Sequence, residues 1–323
     1  MPPGQETGHA VPAVPADPAR GFAWSDYVDW LVADRGTLTA VAEELVARQG
    51  FAADVESAER GLRRLRKRNA GGVWGERCLR AFGLPTPVAD RIRWMGHYHS
   101  RFTDLPVSLG EELLRPWLRP PTSESPARVW LLLAQANLAI RRRGDPSPHL
   151  DQAALVPNPP DAAACELALV RAYHLERRDP AAATAALDAA EAALPADGPD
   201  RACLVARLID QRAYRLNKPR TGAPDHAAAA ALYASIPADG PLFAQVRRGN
   251  GLGWSLLRMG RPDAAEEHAR AALRAAGDLG SLRLRAMSLN LLAAVRDDPA
   301  IRARASAIAA RLEDEALAVR FRA

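Results

Sequence analysis

Asn250-Gly-Leu-Gly-Trp-Ser-Leu-Leu-Arg-Met-Gly260-Arg-Pro-Asp-Ala-Ala-Glu-Glu-His-Ala-Arg270-Ala-Ala-Leu273 reads as two helices joined by one tight turn. Ahead of the turn, Val246, Leu252, Leu256 and Leu257 recur at the spacing of one helix face. Behind it, Ala264, Ala265, Ala269, Ala272 and Leu273 supply a facing stripe of small residues, which lets the two helices approach closely. Gly260 suits the turn, and Pro262 suits the first helical position, where its missing N–H would be unpaired anyway. Such a pair cannot hide its apolar stripe alone. It needs neighbours of the same kind stacked on it.

The same punctuation recurs along the second half of the chain. Pro146, Pro180, Pro224, Pro262 and Pro299 follow one another at intervals of 34, 44, 38 and 37 residues, and Asp145, Asp179 and Asp298 precede three of them as N-cap candidates. Leu194-Pro-Ala-Asp-Gly-Pro199 returns as Ile236-Pro-Ala-Asp-Gly-Pro241. These marks predict five helix pairs between Ser125 and about Phe321, beginning near Ser125, Asp161, Pro199, Pro241 and Ser281. A period of this length implies an α-solenoid.

The quoted stretch resembles a tetratricopeptide repeat. Leu252 and Gly253 fall where that family has its Leu-Gly pair, Gly260 at its inter-helix turn, and Ala265 and Ala272 at its two small-residue packing positions. Gly249, Leu256, Ala269 and Gly277 stand where the family has tryptophan, tyrosine, phenylalanine and proline, and the other pairs share only the length and the Ala/Leu pattern. The resemblance implies a solenoid over residues 123–323 whose first helices line a concave surface that receives a protein or peptide. Arg247, Asn250, Trp254 and Arg258 are spaced to project from one side of such a helix, and Asn290 stands one repeat beyond Asn250. By resemblance the asparagines would bond an extended peptide backbone. A plain packing role for Trp254 and a helix-surface role for the asparagines stand beside that reading.

Composition agrees with an all-α fold. Of 323 residues, 67 are alanine, aromatics make up 6%, and the β-favouring Thr, Val and Ile are sparse. Lys67 and Lys218 are the only lysines among 43 basic residues, and 38 acids nearly balance them, leaving a net charge of +5. Total charge therefore says little about nucleic acid; only a local cluster does. The longest apolar run, Val129 to Ala134, is far below the ~20 residues of a membrane helix, so no membrane span is expected. Three cysteines, Cys78, Cys165 and Cys203, lie far apart without ligand spacing and suit a reducing cytoplasm.

Residues 1–22, rich in proline and without a signal-peptide core, are expected to form a disordered leader. Over residues 23–72 three short helices are predicted. Ser25 or Asp26 would cap the first, Thr37 starts the second, and after a Gly50-Phe51 turn Asp54 caps a third with the inner stripe Val55, Ala58, Leu62 and Leu65. The other face of this third helix holds Arg60, Arg63, Arg64, Arg66, Lys67 and Arg68, six cations in nine residues without an acid. Two amphipathic helices and a short turn, the second helix cationic, form a helix-turn-helix-like head whose arginines would neutralise phosphates of double-stranded DNA. Contact with an acidic protein surface, or simple solvation, are the competing readings of that face, because residues 1–122 hold 16 basic and 15 acidic groups.

Residues 73–122 read as an aromatic-rich helical connector, carrying Trp74, Phe82, Trp94, Tyr98, Phe102 and Trp117 as anchors for the solenoid rather than as base-stacking groups. A helix through Ile92, Met95 and Tyr98 would point His97 and His99 to different faces, so no metal site is expected there, with Asp104 or otherwise. No phosphate loop, HExxH pair or nucleophile elbow occurs. Gly249-Asn-Gly-Leu-Gly253 lacks the preceding strand of a dinucleotide loop, and the cysteines read as small core residues. The expected protein is a cytoplasmic, non-enzymatic regulator without a cofactor, with a DNA-binding head and a solenoid that senses a peptide or protein. Proteins of that general class dimerise or change curvature on binding their ligand, so a homodimer is compatible with the reading. The alternative is an interaction scaffold with no DNA binding.

Overall fold

The computed structural model describes residues 20–49 and 54–322. Among these, the regular structure is entirely helical. The chain divides into two compact units, one made by residues up to Arg93 with Glu112–Leu131, the other by Trp94–Glu111 with Leu132–Ala323. The connector expected over 73–122 is thus shared between them. Most of the expected leader lies outside the described residues, but Phe22 is buried and belongs to the folded part.

The first unit opens with α1 (Trp24–Arg35), α2 (Leu38–Gln49), α3 (Val55–Arg68) and α4 (Gly72–Phe82). Helix α1 is capped two residues before Ser25: Ala23 is the N-cap, and its N–H donates to Asp26 Oδ2 at 3.0 Å. Thr37 and Asp54 start α2 and α3 through their side-chain oxygens, which accept from the N–H groups of Ala40 and Ser57. The Gly50-Phe51 turn lies outside the described residues. Trp24, Tyr27, Leu31, Leu45, Leu62 and Leu65 fill the core between α1, α2 and α3. Asn69 ends α3 in the left-handed region (φ 50°), and its Oδ1 accepts from Trp24 N–H at 2.7 Å, tying the end of α3 to the start of α1.

The chain continues through α5 (Thr86–Gly96), α6 (Val107–Leu114), α7 (Arg128–Arg141) and α8 (Ser147–Ala154). The second unit is then a run of helix pairs: α9 (Asp161–Leu175) and α10 (Pro180–Ala192), α11 (Arg201–Asn217) and α12 (His226–Ala234), α13 (Leu242–Arg258) and α14 (Pro262–Asp278), α15 (Leu282–Arg296) and α16 (Pro299–Arg311), closed by α17 (Glu315–Arg322). Pro180, Pro262 and Pro299 open their helices as expected, with Asp179 and Asp298 as caps. Asp225 caps α12 in the same way. From α9 onward the first helix of each pair packs on its partner and on the first helix of the next pair, so the core runs on from pair to pair.

Helix α13 sits at the tightest point of this stack. Its glycines are not a phosphate loop: all three lie mid-helix where neighbours crowd the backbone. A Cβ on Gly251 would stand 2.1 Å from the ring of Tyr233, and one on Gly249 3.0 Å from the carbonyl oxygen of His268. Gly251→Ala would gain about 1 kcal/mol of helix propensity. It must, however, displace the buried Tyr233 ring, whose hydroxyl donates to Asp210 Oδ1 at 3.1 Å. Overpacking of this kind costs about 1–3 kcal/mol. We expect a net loss, seen as a lowered thermal midpoint; a raised midpoint would show that the contact yields freely.

Candidate functional site

On α3 the buried stripe of Ala58, Gly61, Leu62 and Leu65 faces the core, and the opposite side carries the cations. Arg60, Arg63, Arg64, Arg66, Lys67 and Arg68 are all exposed. Arg60 pairs with Glu56 at 3.2 Å, Arg63 with Glu59, and Arg66 with Asp29 at 2.7 Å. Arg64, Lys67 and Arg68 have no acidic partner among the described residues. They stand three and four residues apart, hence on one side of the helix, at the end where the backbone dipole is negative and favours positive charge. The result is a local cationic patch held on a rigid helix.

The five residues expected on the solenoid surface are not brought together. Arg247 is buried, with Nη1 on Asp210 Oδ2 at 2.9 Å and Nη2 donating to the Tyr98 hydroxyl at 3.1 Å. Asn250 is buried with neither side-chain atom bonded. Trp254 packs beside Ala269, Leu291 and Leu292, as the packing reading had it, while Asn290 is half-buried and Arg258 exposed.

A second polar centre, within the second unit, went unread in the sequence. Helix α5 ends at Gly96, so His97 and His99 lie on the segment after it and not on opposed helix faces. Their rings come together with centroids 4.5 Å apart. The helix expected through Ile92, Met95 and Tyr98 stops at Gly96 instead, so the two imidazoles are not held on different helix faces. The segment after α5 lies along the first helices of successive pairs. His97 Nε2 is 3.2 Å from Asp200 Oδ2, at the start of α11, and its Nδ1 is 3.7 Å from Glu166 Oε2 on α9. His99 Nε2 is 3.0 Å from Asp200 Oδ1. Further on, Asp104 Oδ1 accepts from the Ser281 hydroxyl at 2.9 Å and the Arg283 N–H at 2.8 Å at the start of α15.

Between these anchors Tyr98 meets three guanidiniums, one from each of α11, α13 and α15. Arg207, Arg247 and Arg283 lie 4.4, 5.4 and 5.2 Å from its ring centroid, and Arg247 and Arg283 both donate to its oxygen. Burial pushes the Tyr98 hydroxyl up, but Arg283, Arg247 and Arg207 outweigh it and bring the group down to about 7. Glu166, fully buried, is pushed up by desolvation and pulled further down by Arg207 and His97, to about 2. Burial lowers the His97 imidazole, yet Asp200 and Glu166 more than offset this and hold it above the ordinary range. For His99 burial prevails and the ring is held below it. Burial pushes the thiols of Cys78 and Cys165 up to about 12 and that of Cys203 up to about 11, which leaves them poor nucleophiles.

Among the described residues no helix is long and apolar enough to cross a membrane. No family model, curated protein or solved structure matches the chain.

Proposed function

We propose that the protein is a non-enzymatic regulator that binds double-stranded DNA through the exposed face of α3, in a helix-turn-helix-like head, and carries a tetratricopeptide-like α-solenoid for a protein or peptide partner. One observation carries the DNA reading: three neighbouring cations, Arg64, Lys67 and Arg68, are exposed and lack acidic partners among the described residues. Phosphate contacts of this type release counterions, which supplies most of the affinity of sequence-independent binding. The core stripe fixes the helix, so the cations are presented without a further ordering cost for its backbone. The solenoid reading rests on the repeated pairing of α9 to α16. Arg247 and Asn250, being buried, are withdrawn from the peptide role; Arg258 and Asn290 remain in it.

The test is fluorescence anisotropy of a short random-sequence duplex with the full chain at low salt. Wild-type protein is expected to bind, and Arg64→Ala, Lys67→Ala and Arg68→Ala together are expected to weaken binding at least about tenfold. These side chains are solvated, so the variant should fold normally. Failure of the wild-type chain to bind at low salt would overturn the proposal in favour of an interaction scaffold whose cationic face meets an acidic protein.

A further inference from the structure

We propose that His97, His99, Glu166 and Asp200 form a binding site for one divalent transition-metal ion, with Zn2+ the best match to the donor set. The proposal stands apart from the DNA reading, and each can fail alone. One ligand atom from each of His97, His99 and Glu166 falls within 4.8 Å of the others. Asp200 lies against both imidazoles, with one oxygen 3.2 Å from His97 Nε2 and the other 3.0 Å from His99 Nε2, and is the fourth donor we assign. A tetrahedral ion with bonds of about 2.0–2.2 Å requires donor atoms roughly 3.3–3.6 Å apart. The observed separations do not share one set of donor atoms, because His97 meets Asp200 through Nε2 and Glu166 Oε2 through Nδ1, and Asp200 meets the two rings through different oxygens; side-chain rotation must bring one atom of each residue onto a common centre.

Two further features point to a ligand rather than to a self-contained hydrogen-bond network. The first is Glu166, wholly buried, whose Oε1 accepts no hydrogen bond. Arg207 lies against Oε2 as an ion pair, which leaves Oε1 to coordinate. The second is Asp200. Asp54, Asp179, Asp225 and Asp298 occupy the same N-cap position on their helices and each accepts a backbone N–H from the first turn. Asp200, at the N-cap of α11, makes no such bond and directs both oxygens at the imidazoles.

Two imidazoles and two carboxylates are borderline-to-hard donors that suit Zn2+ over softer ions, and no thiolate joins them. The side chains of His99 and Asp200 are 12% and 15% exposed, so an ion can enter without global unfolding. The donors come from three separate stretches: the segment after α5, helix α9 and the start of α11. A bound ion would therefore staple that segment to two successive helix pairs.

The experiment uses the tag-free full chain, stripped with a chelator and titrated with Zn2+ by calorimetry, with Co2+ as a spectroscopic probe. The expected results are one equivalent bound, a thermal midpoint that rises with Zn2+ concentration, and the intense visible d–d absorption of tetrahedral Co2+. His99→Gln and Asp200→Asn, both at partly exposed positions, are each expected to abolish the Co2+ spectrum and to weaken Zn2+ binding by at least about a hundredfold, more than loss of an outer partner costs. His149→Gln and His268→Gln, away from the site, should leave both unchanged. Should one of the two site variants fail to fold, the other reads the same outcome. Absence of saturable Zn2+ binding in the wild-type chain overturns the proposal, as does binding that survives unchanged in the site variants.

Discussion

Asp314→Ala is expected to lower the unfolding free energy of the second unit by about 3–5 kcal/mol, the cost typical of removing one partner from a buried ion pair. Asp314 is 1% exposed and lies between two guanidiniums, with Oδ2 at 2.8 Å from Arg283 Nε and 3.2 Å from Arg141 Nε. Its Oδ1 also accepts from the Leu317 N–H at 2.9 Å, in the first turn of α17. Alanine would leave both guanidiniums buried without their carboxylate and would remove the cap. The pH dependence has a definite sign. Desolvation pushes the Asp314 carboxyl up, but Arg283, the hydrogen bond from it, Arg141 and the Leu317 N–H together hold it below the ordinary range. The stabilisation it supplies is thus complete above the unfolded-state value near 3.9 and drains away as pH falls through the lower folded value. Urea unfolding should show wild type and variant far apart at neutral pH and converging in acid. A gap that stays constant below about pH 4 would contradict this account of the site.

In the first unit the largest effect is expected from Trp24→Ala, again about 3–5 kcal/mol. The Trp24 ring is fully buried and stands edge-on to Tyr27 at 5.4 Å. Two glycines press against it: a Cβ on Gly71 or Gly75 would lie 2.8 or 2.6 Å from ring atoms. With backbone so close on that side, the helices cannot settle into the void by side-chain movement alone, so most of the cavity should persist. Hydrogen exchange should show lost protection in peptides covering α1 to α4, while α13 to α16 keep theirs. Uniform loss along the whole chain, or unchanged protection in α1 to α4, would argue against the central place of Trp24 in that core.

The helix pairs were legible because their signals are local. A proline at a first helical position, an aspartate before it and an alanine stripe behind it depend on neighbours a few residues away, and the observed starts at Arg128, Asp161, Arg201, Leu242 and Leu282 lie within three residues of the expected ones. The cationic face of α3 was legible for the same reason: the period that buries Leu62 and Leu65 also exposes Arg64 and Lys67. Arg207, Arg247 and Arg283 were not. A lone arginine on a predicted helix reads as solvated, and its burial here is decided by Tyr98 and by carboxylates remote in sequence. His97 and His99 were misplaced by one local error, the extension of α5 past Gly96 through the periodic position of Tyr98. Glu166 and Asp200 offered no sequence signal at all, since only the packing of α9 against α11 brings them to the histidines.

The central claim, that the exposed face of α3 is a DNA-binding surface, is tested most directly by the salt dependence of duplex binding in the wild-type chain and in the Arg64→Ala, Lys67→Ala, Arg68→Ala variant. If the three cations each neutralise a phosphate, the slope of log K against log salt should be shallower in the variant by about 0.9 for each lost contact, or roughly 2.7 in all. An identical slope in both proteins would place the DNA elsewhere and contradict the account.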